Sequence, residues 1–209
     1  MNDGLLFIVS APSGGGKTSL VSALVKSRSN LTVSISYTTR PLRPGERDGV
    51  DYHFVERSVF EQMIENDRFL EYAEVFDYCY GTSREAVQEQ FKLGNHVVLE
   101  IDWQGARQIR RNLPDCVSVF VMPPSLDELH KRLTHRAEDN DATIERRMRD
   151  ALSEISHYRE YDYIIVNDSF DQALADLDAI VRAQGLARRV QQHELRRRLP
   201  DLMAKAEAT

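Results

Sequence analysis

Residues 11–20 read APSGGGKTSL. Gly14, Gly15 and Gly16 in a row suit neither a strand nor a helix interior, since each gives up backbone entropy and offers no side chain to pack. The flanks give the stretch its meaning. Before it, Leu5 to Val9 is a short apolar run rich in strand formers; after it, Thr18 to Lys26 has a helical pattern. A strand, a glycine-rich turn and a Lys-Thr pair opening a helix form the context of a phosphate loop. With no Cβ in the way, successive backbone N–H groups turn inward around an anion. The helix adds its unpaired N–H groups and the positive end of its dipole. On this reading Ala11, Pro12, Ser13, Gly14, Gly15, Gly16, Lys17, Thr18 and Ser19 make an ATP site. Lys17 reaches the β- and γ-phosphates, and Thr18 offers its hydroxyl to Mg²⁺. The first position of the general pattern G-x-x-x-x-G-K-[ST] is Ala11 in place of glycine.

Further apolar runs follow the same plan. Val97 to Leu99, Val117 to Met122 and Tyr163 to Val166 read as strands buried on both faces, which suits a parallel sheet. Helical stretches at Gln104 to Arg111 and Leu126 to Arg136 alternate with them, predicting a doubly wound α/β core with a P-loop NTPase-type parallel sheet flanked by helices. Two regions break the alternation. Residues 33–82 predict a small, mostly β lobe: VSISYTT and FLEYAEVF have strand character, RPLRPGERDG is a loop, and a helix runs from about Ser58 to Asn66. Residues 125–158 predict a helical lid, with Ile144, Met148, Leu152 and Ile155 as the buried stripe of its second helix and Arg147 on the border. The core is then 3–32, 83–124 and 159–184, with a helical extension over 185–209, all in one domain.

Composition sets outer bounds. The 209 residues are 42% hydrophobic and 29% charged, as expected of a soluble globular chain with a sizeable core. No apolar run approaches a membrane span. Residues 1–10 lack the pattern of a signal peptide. Cys79 and Cys116 have no metal-ligand spacing and read as reduced thiols of a cytoplasmic protein. A net charge of −6 argues against a general nucleic-acid binder.

A triphosphate site names no reaction until an acceptor is found. In TTRPLRPGE, Arg40 and Arg43 flank Pro41 and Leu42, with Tyr52 nine residues beyond Arg43. Arginine forks bind phosphate oxygens bidentately, and the prolines stiffen their presentation. A solvated turn is the competing reading. Ser36, Tyr37, Thr38 and Thr39 add hydroxyls. In EYAEVFDYCYGT, Glu71, Tyr80 and Thr82 can converge from neighbouring strands. A carboxylate there accepts from the N1–H and N2–H donor pair of guanine, which adenine lacks.

Six spaced motifs then agree. SAPSGGGKTSL, SYTTRPLRPGERDGVDYHFV, FLEYAEVFDYCYGT, VVLEIDWQGARQI, FVMPPSLDELHKRL and YIIVND resemble the guanylate kinases in order along the chain, over roughly Leu5 to Gln184. The resemblance implies an ATP:GMP phosphotransferase that supplies guanine nucleotides, and an alanine at the loop start is common among bacterial members. It implies Ser36, Arg40, Arg43, Tyr52 and Tyr80 as contacts of the GMP phosphate, and Glu71, Thr82 and Asp102 as guanine readers. Glu100 stands where many members have Asp, near Mg²⁺ or its waters. Arg132, Arg136 and Arg147 resemble lid and clamp arginines around the ATP phosphates, and Asn167 an adenine-side contact. Lys17, Arg40, Arg43, Arg136 and Arg147 are the catalytic set.

Rival readings are a phosphopeptide-docking module of the same family, a related kinase for another phosphorylated acceptor, and a nucleic-acid arm in the tail. Docking modules have lost the phosphate loop that is intact here. The tail beyond Gln184 has six basic residues against three acidic ones, with Val190, Leu195, Leu199 and Leu202 as a rough apolar stripe interrupted at Pro200. Such a stripe predicts packing against the chain's own core or against a second copy in a homo-oligomer.

Overall fold

A computed structural model of the chain describes residues 4–75, 77–135 and 141–207. Five parallel strands, β1 (Leu6–Ser10), β2 (Leu31–Val33), β7 (His96–Glu100), β8 (Val117–Met122) and β9 (Tyr163–Val166), form a central sheet in the order β2-β7-β1-β8-β9. The apolar runs therefore became a parallel sheet, as their lack of alternation predicts. Leu6 and Ile8 point to one face, Phe7 and Val9 to the other, following the two-residue period of a strand. On one side Leu20, Val21 and Leu24 of α1 (Lys17–Ser27) and Ala173, Leu177 and Val181 of α7 (Phe170–Gly185) cover the sheet. On the other, Val87 of α3 (Arg84–Lys92) and Ala106 and Ile109 of α4 (Trp103–Asn112) do so. Each large apolar side chain so buried stabilises the fold by roughly 1.5–3 kcal/mol.

A second sheet of order β4-β3-β6-β5 comprises β3 (Tyr37–Thr38), β4 (His53–Phe54), β5 (Phe69–Val75) and β6 (Tyr78–Ser83). Phe60 of α2 (Arg57–Glu65) packs on it with Phe69 and Cys79. The segment VSISYTT is divided between the sheets: Val33 ends β2 at the edge of the core, and Tyr37 opens β3. Backbone bonds at this junction bind Ser34 N–H to the Val98 carbonyl and His53 N–H to that of Ser36.

Two helices, α5 (Leu126–His135) and α6 (Asp141–Ser156), share a small apolar core of Leu129, Leu133 and Ala151, with Met148 and Ile155 against it. The stripe of α6 differs at one position from the predicted one: Ala151 is buried and Leu152 is exposed. The leucine lies one residue too far round the helix, and the small alanine lets α5 and α6 approach. The tail forms α8 (Arg188–Arg198) and α9 (Pro200–Glu207), broken at Leu199–Pro200 as proline requires. Val190 packs against the core, but Leu195, Leu199 and Leu202 are exposed, so the predicted stripe is covered at one end only.

Candidate active site

The loop after β1 is shaped for an anion. The Gly15 N–H donates to the Pro12 carbonyl at 2.8 Å, closing a tight turn. Gly14 and Gly16 have φ of 82° and 91°, in the left-handed region that only glycine enters freely. A Cβ on Gly16 would collide with the Asn167 amide. The first turn of α1 has no capping side chain and no acidic residue, which leaves its N–H groups and positive dipole end for a ligand. Among the described residues Lys17 Nζ makes only a long bond, 3.4 Å, to the Ile101 carbonyl. Thr18 and Ser19 are exposed beside it, and Ala11 and Pro12 are buried beneath.

Across from the loop, Glu71 and Thr82 pair in register on β5 and β6. The Thr82 hydroxyl donates to Glu71 Oε1 at 2.5 Å, and both residues are buried. Asp102 caps α4 by accepting from the Gly105 N–H at 3.0 Å. A side chain on Gly105 would collide with Glu71 Oε2, so this glycine lets α4 and β5 close on each other. Burial pushes the Glu71 carboxyl up to about 7; the Thr82 bond opposes the rise, Asp102 adds to it and Lys17 opposes it again. The Glu71 and Asp102 carboxylates and the Lys17 side chain thus lie within one electrostatic neighbourhood.

The arginine loop is exposed over residues 41–45, but the arginine at its start is held inside. Arg40 is buried, donating to Glu46 Oε1 at 2.7 Å and to the Pro41 carbonyl at 2.8 Å. Its guanidinium lies 5.4 Å from the Tyr52 ring, and the Tyr52 and Tyr80 rings are 5.8 Å apart. Burial works against the Arg40 charge, but Glu46 and Tyr80 outweigh it and hold its pKa above the ordinary value. Burial also raises Tyr52, with Tyr80 and Glu100 adding to it. Arg40, Tyr52, Tyr80 and Glu100 therefore converge. Ser36 is half-buried at the sheet junction, and Arg43 is exposed, its N–H donating to Glu46 Oε2 at 2.8 Å.

On α5, Arg132 donates to Glu128 at 3.0 Å and to the Asn167 carbonyl at 3.2 Å. The buried Asn167 side chain donates to the Gly15 carbonyl at 2.9 Å and so supports the loop. Arg147 is half-buried on α6; Arg136 lies outside the described residues. Between the small sheet and α6 is a cavity of about 390 Å³, bordered by Glu74, Asp102, Trp103, Arg146, Asp150 and Glu154. Among the described residues no cluster of His, Cys, Asp or Glu can hold a metal by itself. Hard oxygen donors at Thr18 and Glu100 fit a magnesium ion that keeps its waters and takes most of its ligands from phosphates.

Three residues at the site escaped the sequence reading. Glu46 braces Arg40 and the Arg43 backbone; an acid three residues after Arg43 in a Pro-Gly loop was its one local signal. Gly105 stands in the first turn of a helix, where glycine is costly without a reason. Glu154 accepts from the Ser13 N–H at 2.9 Å, and burial pushes its carboxyl up to about 7, against the effects of Ser13 and Lys17. Trp103 is half-buried and stacks on His157 at 3.8 Å between ring centroids.

The family model for guanylate kinase matches residues 4–184. The chain belongs to the guanylate kinase family. It is 55% identical to the guanylate kinase of Alkalilimnicola ehrlichii, over 94% of each chain. It is 56% identical to that of Methylococcus capsulatus, over 97% of this chain and all of the other. The crystal structure of guanylate kinase from Anaplasma phagocytophilum superposes with a TM-score of 0.78 at 32% identity, covering 96% of this chain and 97% of that one. Measured against the guanylate kinase model, α8 and α9 lie beyond its last matched residue. Among the described residues no helix is long and apolar enough to cross a membrane.

Proposed function

We propose that this chain transfers the γ-phosphoryl group of ATP to GMP, giving ADP and GDP. The observation that carries the reading is the buried Glu71–Thr82 pair beside Asp102, within electrostatic reach of Lys17. Guanine presents N1–H and N2–H donors to the carboxylates; adenine would leave them unmatched in a buried place, which costs about 1–3 kcal/mol per group. Ser36, Arg40, Arg43, Tyr52 and Tyr80 hold the GMP phosphate. Loop residues 11–19, with Arg132, Arg136 and Arg147, hold the ATP phosphates, and Asn167 borders the adenine.

An ionised oxygen of the GMP phosphate attacks the γ-phosphorus, and the bond from that phosphorus to the β–γ bridging oxygen breaks. No general base is required, because the attacking oxygen carries no proton. Two anionic nucleotides must meet, so the chain's work is positioning and offsetting charge. Lys17 and the lid arginines act on charge that builds on the equatorial and bridging oxygens. Residues 33–82 and 125–158 serve as GMP lobe and lid, closing to exclude water that would otherwise hydrolyse ATP. Thr18, with Glu100 nearby, would help hold a Mg²⁺ ion on the ATP phosphates, and such an ion would neutralise part of their charge. The two reduced thiols suit a cytoplasmic enzyme.

ADP formation measured in parallel with GMP, AMP, CMP and UMP tests the reading. Turnover with GMP alone is expected; equal rates with AMP would remove guanine from it.

A further inference from the structure

The phosphate loop is held from outside at two points. Asn167 supports the Gly15 carbonyl from the end of β9. The second support comes from the lid: Glu154, in the last turn of α6, accepts the Ser13 N–H at 2.9 Å across 141 residues of sequence. The loop's internal bond, from Gly15 N–H to the Pro12 carbonyl, leaves the Ser13 N–H for this acceptor. The surroundings agree. A Cβ on Gly14 would come within 3.2 Å of Leu129 and Leu133, so the apolar core of the lid abuts the loop itself. Just beyond Glu154, His157 stacks on Trp103 and bonds Glu160 at 2.7 Å, and Glu160 in turn bonds Arg107 and Arg110 of α4. The root of α6 is thereby fastened to both the loop and the sheet's helical cover, while Arg147 sits about two turns nearer its other end.

We propose that Glu154 is a positioning residue for ATP: by accepting the Ser13 N–H it holds the first turn of the phosphate loop in its anion-binding shape and joins that turn to the fixed root of the lid. Burial pushes its carboxyl up to about 7, opposed by Ser13 and Lys17, with Asp102 and Asp150 adding to the rise. A protonated carboxyl still accepts through its carbonyl oxygen. Near pH 7 the ionised and protonated forms are both present, and either can hold the loop through this hydrogen bond. A neutral acceptor also spares the approaching γ-phosphate a like charge.

The proposal rests on the ATP:GMP transfer reading, which the unmodified enzyme tests by itself through its rate with GMP. Glu154 is then tested by steady-state kinetics on three variants, with melting curves for each. Glu154→Ala leaves the Ser13 N–H unmet and is expected to raise the KM for ATP about tenfold, with the KM for GMP within about twofold of the unmodified enzyme. Glu154→Gln copies the protonated acid and is expected to restore the ATP KM to within about twofold. Glu154→Asp keeps the carboxyl group but falls short of Ser13 by one methylene, and is expected to follow alanine; it decides the matter if the alanine variant does not fold. An unchanged ATP KM in Glu154→Ala overturns the proposal. So does a glutamine variant as weak as alanine, an aspartate variant with the unmodified ATP KM, or a parallel rise in the GMP KM.

Discussion

The Thr82 hydroxyl and the Glu71 carboxylate meet at 2.5 Å between neighbouring strands, buried from solvent, with Gly105 of α4 pressed against the same carboxylate. The strand pair fixes where the acid sits, and the hydroxyl fixes which way it faces. Replacing Glu71 by Gln puts a donor where guanine also donates. The KM for GMP is expected to rise about ten- to a hundredfold, with that for ATP changed far less. Steady-state kinetics with each nucleotide varied in turn checks this; equal losses for both would place Glu71 outside the acceptor site.

Gly105→Ala should act on the same pocket from the other side. Alanine is the better helix former by about 1 kcal/mol, so propensity alone predicts stabilisation. The added methyl meets Glu71 Oε2, so the pocket must shift. Weaker GMP binding by calorimetry is expected, with ATP-analogue binding preserved.

Removal of the loop lysine separates chemistry from folding. Among the described residues Lys17 has one long hydrogen bond, to the Ile101 carbonyl. Lys17→Ala is expected to keep the melting temperature within a few degrees and to lower kcat at least about a hundredfold, the scale of losing one transition-state charge partner. A folded variant with unchanged turnover would falsify the phosphate-loop assignment.

The two buried acids give a pH dependence of defined sign. Glu71 and Glu154 both stand at about 7, above the ordinary carboxylate value of 4.5. The folded chain thus binds these protons more tightly than the unfolded one. Their contribution to stability is fully present below about pH 4.5 and is lost as pH rises through about 7. Melting of the nucleotide-free protein should therefore fall between about pH 5 and pH 8, and the double variant Glu71→Gln, Glu154→Gln should flatten that fall. GMP reverses the sign at Glu71, since its donors favour the ionised acid. Calorimetry near pH 7 in buffers of differing ionisation heat should show proton release on GMP binding.

A cut after Gly185 tests the tail. Val190 alone of its apolar stripe packs on the core, while Leu195, Leu199 and Leu202 are exposed. Losing the Val190 contact and the bond from Gln191 to the Gly185 carbonyl should lower the melting temperature by at least about 2–4 °C, with turnover retained. A fall several times that size would mean that the leucines are covered in solution.

What the sequence made legible was what lies close along it. Lys17 and Thr18 follow their glycines directly, and Glu71 and Thr82 sit on strands joined by a short turn, so spacing alone brings each set together. Glu154 stayed hidden because helical periodicity reports only which face of α6 turns inward, and its partner Ser13 belongs to another part of the chain. Leu152 misled for a related reason. Hydrophobicity ranked it above Ala151, but close packing of α5 on α6 selects the smaller side chain. In the tail, apolar residues at roughly helical spacing marked a stripe, yet a stripe does not say how much of it the chain's own core will reach.

The support that Asn167 gives to Gly15 has a consequence for biosynthesis. The loop is made among the first residues, but the strand that delivers Asn167 is the last to join the sheet and lies at its edge. A nascent chain long enough to contain the glycines, the lysine and even the whole small sheet still lacks the amide that braces them. Competence to bind ATP should therefore arrive late and in one step, when β9 emerges from the ribosome and docks beside β8.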